Sequence, residues 1–504
     1  MSVGVFATAE RHPDKPAAIL GSDGSMLTFG DLAERSARLA AILRSHLDIG
    51  DRVAVLLENR LDYFVVIWAI RRSGLRWVPI NWHLHPRESA YIVDNCDARV
   101  FVASPKLREL AEQSAAQSPK LELLISVDEA FGAFQAIDDL PPAPPVADLE
   151  GSAMMYSSGT TGAPKGIVRA LPPQAAGTPG PAEHPMRESY HFDGNTMFLC
   201  PGPLYHAAPL FWTMGAQVLG GTSVIFPTFD PEQVLAAIER HKVTHTLFVP
   251  THFVRMLKLP AEVRARYDLS SLKAVIHAAA PCPPDIKRQM IAWMGPVIEE
   301  FYGASEGGFT TVSSAEWLAR PGTVGRSTAG PLRILGENGE DLPQGQAGTI
   351  YFQLPAPLAY HNEPEKTRAT IIDDVWCTAG DVGYLDEEGY LFLVDRKNHM
   401  IISGGVNIYP LETENVLIMH PAVRDVAVIG VPNAEFGEEV KGVVSLEPGQ
   451  EASPELAAEL IAFCRERLTH YKCPRSIDFI DEVPRLPSGK VRKHDLMARY
   501  RETA

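Results

Sequence analysis

Between residues 30 and 105 the chain switches between two hydrophobic periodicities. From Leu32 to Leu47 apolar residues recur every three or four positions, as on one face of a helix. Arg52–Leu57 is a short apolar run, which predicts a buried strand, and Leu61–Arg72 returns to helical spacing. Trp77–Ile80 and Ala98–Ala103 read as two further strands. Strands alternating with helices predict an α/β fold around a mostly parallel sheet. The greasiest stretch, Phe64–Ile70, has seven residues and stops at Arg71-Arg72. A membrane-crossing helix takes about 20, so this is a core segment.

A Pro-rich stretch, Leu140–Pro145, then interrupts the rhythm and reads as a surface connection. A second alternating block follows from about 150 to 310. It is broken by the Pro/Gly-rich Leu171–Pro185, predicted to be an exposed, mobile loop. From about 320 to 395 short strands alternate with the turn sequences Glu337-Asn338-Gly339-Glu340 and Asp386-Glu387-Glu388-Gly389, which predicts a small β-rich subdomain. A new unit begins after Asp395. It has strands at Val423–Val431, Lys441–Leu446 and Ile477–Ile480, and an amphipathic helix at Glu455–Leu468. The expected domains are 1–396 and 397–504.

At 504 residues the chain is too long for one core, which agrees with this division. Hydrophobic residues are 45% and charged residues 21%, the balance of a folded globular protein. A net charge of −16 argues against general binding to nucleic acid or anionic membranes, while leaving room for a local basic cleft. Met1–Phe6 lacks the basic start and apolar run of a signal peptide. The six cysteines, at 96, 200, 282, 377, 464 and 473, form no CxxC pair and no metal-ligand spacing. They read as free thiols in a reducing cytoplasm, and Mg²⁺ carried by a nucleotide remains as the natural ion.

The strongest chemical signal is Tyr156-Ser157-Ser158-Gly159-Thr160-Thr161-Gly162-Ala163-Pro164-Lys165-Gly166. Glycines let backbone N–H groups close on phosphate oxygens, hydroxyls donate further bonds, and lysine adds charge. Taken alone, a Ser/Thr/Gly run is often just a flexible loop. Lys165 is followed by Gly166 rather than Ser or Thr, so this is not the Walker arrangement. The segment resembles the phosphate loop of the adenylate-forming (AMP-binding) superfamily, which includes acyl-CoA synthetases, firefly luciferase and peptide-synthetase adenylation domains. Further motifs follow in family order along nearly the whole chain.

Glu299–Glu306, ending Tyr302-Gly303-Ala304-Ser305-Glu306, is similar to the family's Tyr-Gly-x-Thr-Glu element. The resemblance implies that Tyr302 stacks on adenine, Ser305 touches phosphate, and Glu306 holds Mg²⁺ with Ser157. Hard carboxylate oxygens suit that ion. His277-Ala278-Ala279-Ala280-Pro281 resembles the small-residue strand end beside adenine (Ala279) and the acyl group (Ala278). Trp376–Gly383 resembles the ribose motif, with Asp381 accepting from both hydroxyls. Leu393–Glu412 resembles the inter-domain hinge and the coenzyme A loop, with Arg396 on the nucleotide and Gly404 and Gly405 along the pantetheine arm. Asn398 stands at the hinge position, where the family usually has Asp or Lys. Lys490, in Leu486-Pro487-Ser488-Gly489-Lys490, resembles the adenylation lysine. His206 aligns with an aromatic gate, and Phe211, Trp212 and Gly303 with walls of the acyl pocket.

The resemblance implies a large N-terminal domain of two related α/β sheets plus a β-subdomain, and a small mobile α+β C-terminal domain. It implies an acyl-CoA synthetase joining a small-molecule carboxylic acid to coenzyme A through an acyl-adenylate, with ATP, Mg²⁺ and coenzyme A. The acid is read as a medium- or long-chain fatty acid or another bulky hydrophobic acid, with aryl or sterol side-chain acids and acyl-AMP ligation as alternatives. Absence of a side chain at Gly303 predicts a pocket deeper than acetate requires. A peptide-synthetase domain is disfavoured because no aspartate stands between Leu199 and Gly221. An inactive ATP-binding scaffold is disfavoured because Lys165, Glu306, Asp381, Arg396 and Lys490 occur together. No nucleic-acid partner or integral membrane segment is expected, and the sequence does not choose between a monomer and a homodimer.

Overall fold

The structure, a computed structural model, describes residues 4–157, 164–354, 356–396, 399–404, 406–433, 435–485 and 491–501. Its first sheet has the strand order Gln135–Ala136, Leu123–Ser126, Val100–Ala103, Arg52–Leu56, Arg76–Pro79, Ser152–Ala153, with every pair parallel. In the second, Pro16–Leu20, Thr222–Ile225, Met197–Cys200, His245–Phe248, Ala274–His277 and Ile298–Ala304 run parallel in that order. The predicted α/β architecture of two sheets is therefore present. Parallel strands buried on both faces explain the unbroken apolar runs in the sequence.

Helices Phe29–His46, Asp62–Arg72 and Ala207–Val218 share one buried cluster with strands of both sheets. Thr28 caps the first of these helices, its side chain accepting from the Asp31 N–H. Tyr63 through Ile70 are all buried, and Trp68 Nε1 donates to Gln217 Oε1 at 2.7 Å. Each large apolar side chain buried here contributes about 1.5–3 kcal/mol, so packing rather than propensity holds this helix.

The expected β-rich stretch from 320 to 395 is present, and its strands continue the second sheet. Ile298–Ala304 pairs antiparallel with Gly307–Val312, then come Thr323–Ser327, Leu391–Arg396 and Asp381–Leu385. Leu171–Pro185 is not simply an exposed loop. The Gly177 N–H donates to buried Glu150 at 2.9 Å, Gly177 O accepts from the Val5 N–H, and Glu150 pairs with Arg71. A buried carboxylate needs such partners, and they pin the loop.

After residue 400 the chain builds a separate five-stranded sheet, with helices Pro410–Leu417 and Pro454–Arg465. Its core, including Leu417, Val428, Val440, Val444 and Leu460, is its own. No helix among the described residues is long and apolar enough to cross a membrane.

Candidate active site

The site lies where parallel strands of the second sheet end and its antiparallel extension begins. Strand Ala274–His277 delivers Ala278, which is buried, and then Ala279, which is exposed with φ at +74°. An L-residue in that left-handed region costs roughly 1–2 kcal/mol, and such strain concentrates at functional sites. The neighbouring strand, Ile298–Ala304, delivers Tyr302 and Gly303. Tyr302 Oη donates to Asp381 Oδ2 at 2.7 Å, and its ring lies 5.7 Å from that of Phe352. Arg396 ends Leu391–Arg396 directly opposite Asp381 in the ladder. Tyr302 and Asp381, 79 positions apart in sequence, thus share one edge because the intervening strands pair across it.

Two predicted motifs meet on a second edge. Ser157 closes strand Met155–Ser157, and Lys165 opens Lys165–Arg169 in register with it, so the phosphate loop joins two paired strands. The Ser157 side chain lies outside the described residues, as do Ser158, Gly159, Thr160 and Thr161. Lys165 Nζ stands 5.2 Å over the Tyr360 ring, and Tyr360 Oη donates to Glu306 Oε1 at 2.9 Å. Arg169 donates from Nη2 to the carbonyls of Ser305 and Glu306, each at 2.9 Å. Burial first, then the charge of Glu306, pushes the Tyr360 phenol well above its usual range, so it stays a donor. Tyr360 and Arg169 carried no motif in the sequence. The only hint of Arg169 was a charge directly after the apolar Ile167-Val168.

Glu306 is nearly buried and presents hard oxygens beside the lysine strand. A single carboxylate fits Mg²⁺, which dehydrates reluctantly and is usually held by one or two carboxylates plus nucleotide phosphates.

On the acyl side, Trp212 and Ala278 belong to one buried cluster with Tyr190, Phe192, Phe198 and Phe301. Four rings form a near-parallel series. Phe198 to Trp212 is 6.3 Å at 25°, Trp212 to Phe301 is 5.4 Å at 25°, and Phe301 to Phe309 is 5.0 Å at 23°. Phe211 turns away and is 39% exposed, so of the two adjacent aromatic residues expected in the wall only Trp212 joins the cluster. His206 precedes the helix Ala207–Val218, its ring 4.7 Å from Tyr205. Gly303 is more than an empty position: a Cβ there would meet the Gly308 carbonyl oxygen at 2.7 Å. A tryptophan at 303 would therefore displace backbone rather than simply fill a pocket.

In the C-terminal unit Gly404 has φ at +57°, and its N–H donates to Phe436 O at 2.8 Å. It lines a cleft of about 240 Å³ with Ser403, Phe436, Arg465, Tyr471 and Arg475. Two guanidinium groups and two aromatic rings suit an anionic, aromatic-tipped ligand. Gly405, Asn398, Lys490 and the side chain of Arg396 lie outside the described residues.

Comparison with known proteins gives concordant matches. The family described as AMP-binding enzyme matches residues 5–357, and the AMP-binding enzyme C-terminal domain matches 412–490. The feruloyl-CoA synthase of an Amycolatopsis species is 35% identical over 500 residues, covering 98% of this chain and 96% of that enzyme. The fatty acid–acyl-carrier-protein ligase ScoC of Streptomyces coeruleorubidus is 31% identical, with 98% and 95% covered. The anthranilate CoA ligase AuaEII, in complex with anthranoyl-AMP, superposes with a TM-score of 0.83 at 25% identity, covering 99% and 97%.

Proposed function

The chain belongs to the AMP-binding enzyme family as an AMP-forming acid–thiol ligase, and from that premise we propose that it activates a bulky hydrophobic carboxylic acid for transfer to coenzyme A. In the first half-reaction a carboxylate oxygen attacks the α-phosphorus of ATP, giving acyl-AMP and diphosphate. Tyr302 and Asp381 hold the nucleoside, Lys165 and the hydroxyls of the 157–161 loop hold the phosphates, and Arg169 braces the Ser305–Glu306 turn. Mg²⁺, held by Glu306 and Ser157, would neutralise phosphate charge when bound. Lys490 stabilises the negative charge that accumulates between carboxylate and α-phosphate. In the second half-reaction residues from 397 onward act as a lid, exchanging Lys490 for the Gly404–Gly405 loop. The thiol sulfur of coenzyme A then attacks the acyl carbon, releasing AMP and a proton. The Gly404 cleft, with Arg465 and Arg475, supports this reading through its charge. Closure also keeps water from a hydrolysable intermediate.

The observation that carries the choice of acid is the ring series ending at Phe309, whose Cδ2 would lie 3.7 Å from a Cβ on Gly303. An apolar wall at that place rewards acids larger than acetate by roughly 0.8 kcal/mol for each buried methylene. A fatty acid satisfies it. Near-parallel rings favour a second reading, a planar aromatic acid that continues the stack. Diphosphate release should be scored across acetate, hexanoate, decanoate, benzoate and cinnamates, followed by thioester formation with free coenzyme A. Preference for acetate over every larger acid would refute the pocket assignment, and absence of thioester with the preferred acid would refute the acceptor.

A further inference from the structure

Strands Ala274–His277 and Ile298–Ala304 end in the residues assigned to nucleotide and acid, and beneath both lies a charged set that neither half-reaction uses. Lys287, on the helix Pro284–Met294, is fully buried, and its Nζ donates to Glu300 Oε2 at 2.6 Å. Glu300, also buried, pairs in register with His277 and precedes Tyr302 by two residues. His277 Nε2 lies 3.5 Å from the same carboxylate oxygen, and neither ring nitrogen has a hydrogen-bond partner among the described residues. Lys287 Nζ also stands 4.9 Å over the Trp317 ring. Tyr190 and Cys282 are further ionisable groups that feel the Glu300 charge. Burial, reinforced by Lys287, holds the His277 imidazole well below its usual range, hence neutral.

A buried ion pair is a poor device for stability alone. Its desolvation penalty rivals its attraction, and apolar replacements of equal volume are often neutral or stabilising. This pair does tie one helix to the end of strand Ile298–Ala304, where Glu300 stands in register with His277 of the neighbouring strand. Directly beyond them Ala279 is held in a left-handed conformation, which persists only where the surroundings over-determine it. Resting on the adenylation reading above, we propose that Lys287 is a positioning residue: through Glu300, which stands in register with His277, it fixes the end of one strand beside its neighbour, so that the Ala279 turn and Tyr302 meet the nucleotide at one spacing.

The test compares wild type, the volume-matched double variant Lys287→Met/Glu300→Leu, the conservative Lys287→Arg, and His277→Gln, which keeps the ion pair. Each is measured for Tm, for AMP affinity by calorimetry, and for kcat and KM in acid-dependent diphosphate–ATP exchange. The double variant should melt at or above the wild-type temperature, while AMP affinity and kcat each fall about tenfold and KM for the acid moves less than about threefold. Lys287→Arg should recover most of the lost kcat, and His277→Gln should lower kcat about threefold at unchanged Tm. A folded double variant with wild-type AMP affinity and kcat would overturn the proposal. If the double variant does not fold, His277→Gln at wild-type kcat and AMP affinity overturns it instead. Wild-type protein that binds no AMP would overturn the adenylation reading together with this one.

Discussion

Tyr302→Phe isolates one atom of the nucleotide edge. The ring remains, with its contact to Phe352, while the hydroxyl that donates to Asp381 Oδ2 at 2.7 Å is removed. A hydrogen bond to a charged group is worth about 1.5–3 kcal/mol. Both partners are only half-buried, so water can replace part of the loss, and the lower end, about 1.5 kcal/mol, is the better figure. Without the Tyr302 hydroxyl, the Asp381 carboxylate loses a donor that helps to set its position for the ribose. The affinity for AMP should therefore fall by about tenfold, since 1.4 kcal/mol is a factor of ten. Calorimetric titration with AMP reads this directly, and exchange kinetics should show KM for ATP rising with kcat nearly constant. Tyr302→Phe introduced into an Asp381→Asn background should then cost less than it does in the wild type, because the two residues act as a pair. An unchanged AMP affinity, or fully additive losses, would refute the view that Tyr302 holds the ribose aspartate.

Lys490→Ala should abolish acyl-AMP formation, costing about 3–4 kcal/mol of transition-state stabilisation, yet spare thioester formation from synthetic acyl-AMP. Equal loss of both half-reactions would refute its assignment. Gly303→Ala forces Cβ against the Gly308 carbonyl and should destabilise the fold by about 1–3 kcal/mol, read as a lower Tm. Unchanged melting would mean the turn relaxes freely. Glu299 is raised to about 7, chiefly by burial, with Lys287 opposing and Glu316 reinforcing the shift. The folded state then binds the extra proton, so this group withdraws stability as pH climbs from about 4.5 to 7. Glu299→Gln should match wild type near pH 5 and melt higher at pH 8, and a reversed order would contradict the shift.

Much of this was legible in the chain because local rules decided it. The strand Arg52–Leu56 and the helix Asp62–Arg72 are legible by period, each one residue shorter than the pattern implies, and the glycine of Tyr302–Glu306 marks where a strand ends and turns. What escaped depended on distant partners. Tyr360 matters because its strand pairs with Lys165–Arg169, nearly two hundred residues away. The loop at 171–185 looked exposed because Pro and Gly signal turns, and nothing local shows that Gly177 meets Glu150. Continuity of the 320–395 strands with the main sheet is likewise a fact of pairing. Nothing local in the sequence marks the burial of Lys287.

One sheet carries Tyr302, Asp381 and Arg396 and ends in Ala278, and the rings of the apolar wall are divided: Phe198, Phe301 and Phe309 stand on its own strands, while Tyr190, Phe192 and Trp212 lie outside them. The residues proposed for the nucleotide therefore share strands with part of the wall, and Tyr190, Phe192 and Trp212 are the rings that can vary without altering those strands. Substitutions at these three are expected to change the preferred acid more than the affinity for AMP. Relatives about one-third identical are named for substrates as unlike as ferulate and fatty acids, as variation at such off-sheet positions would allow.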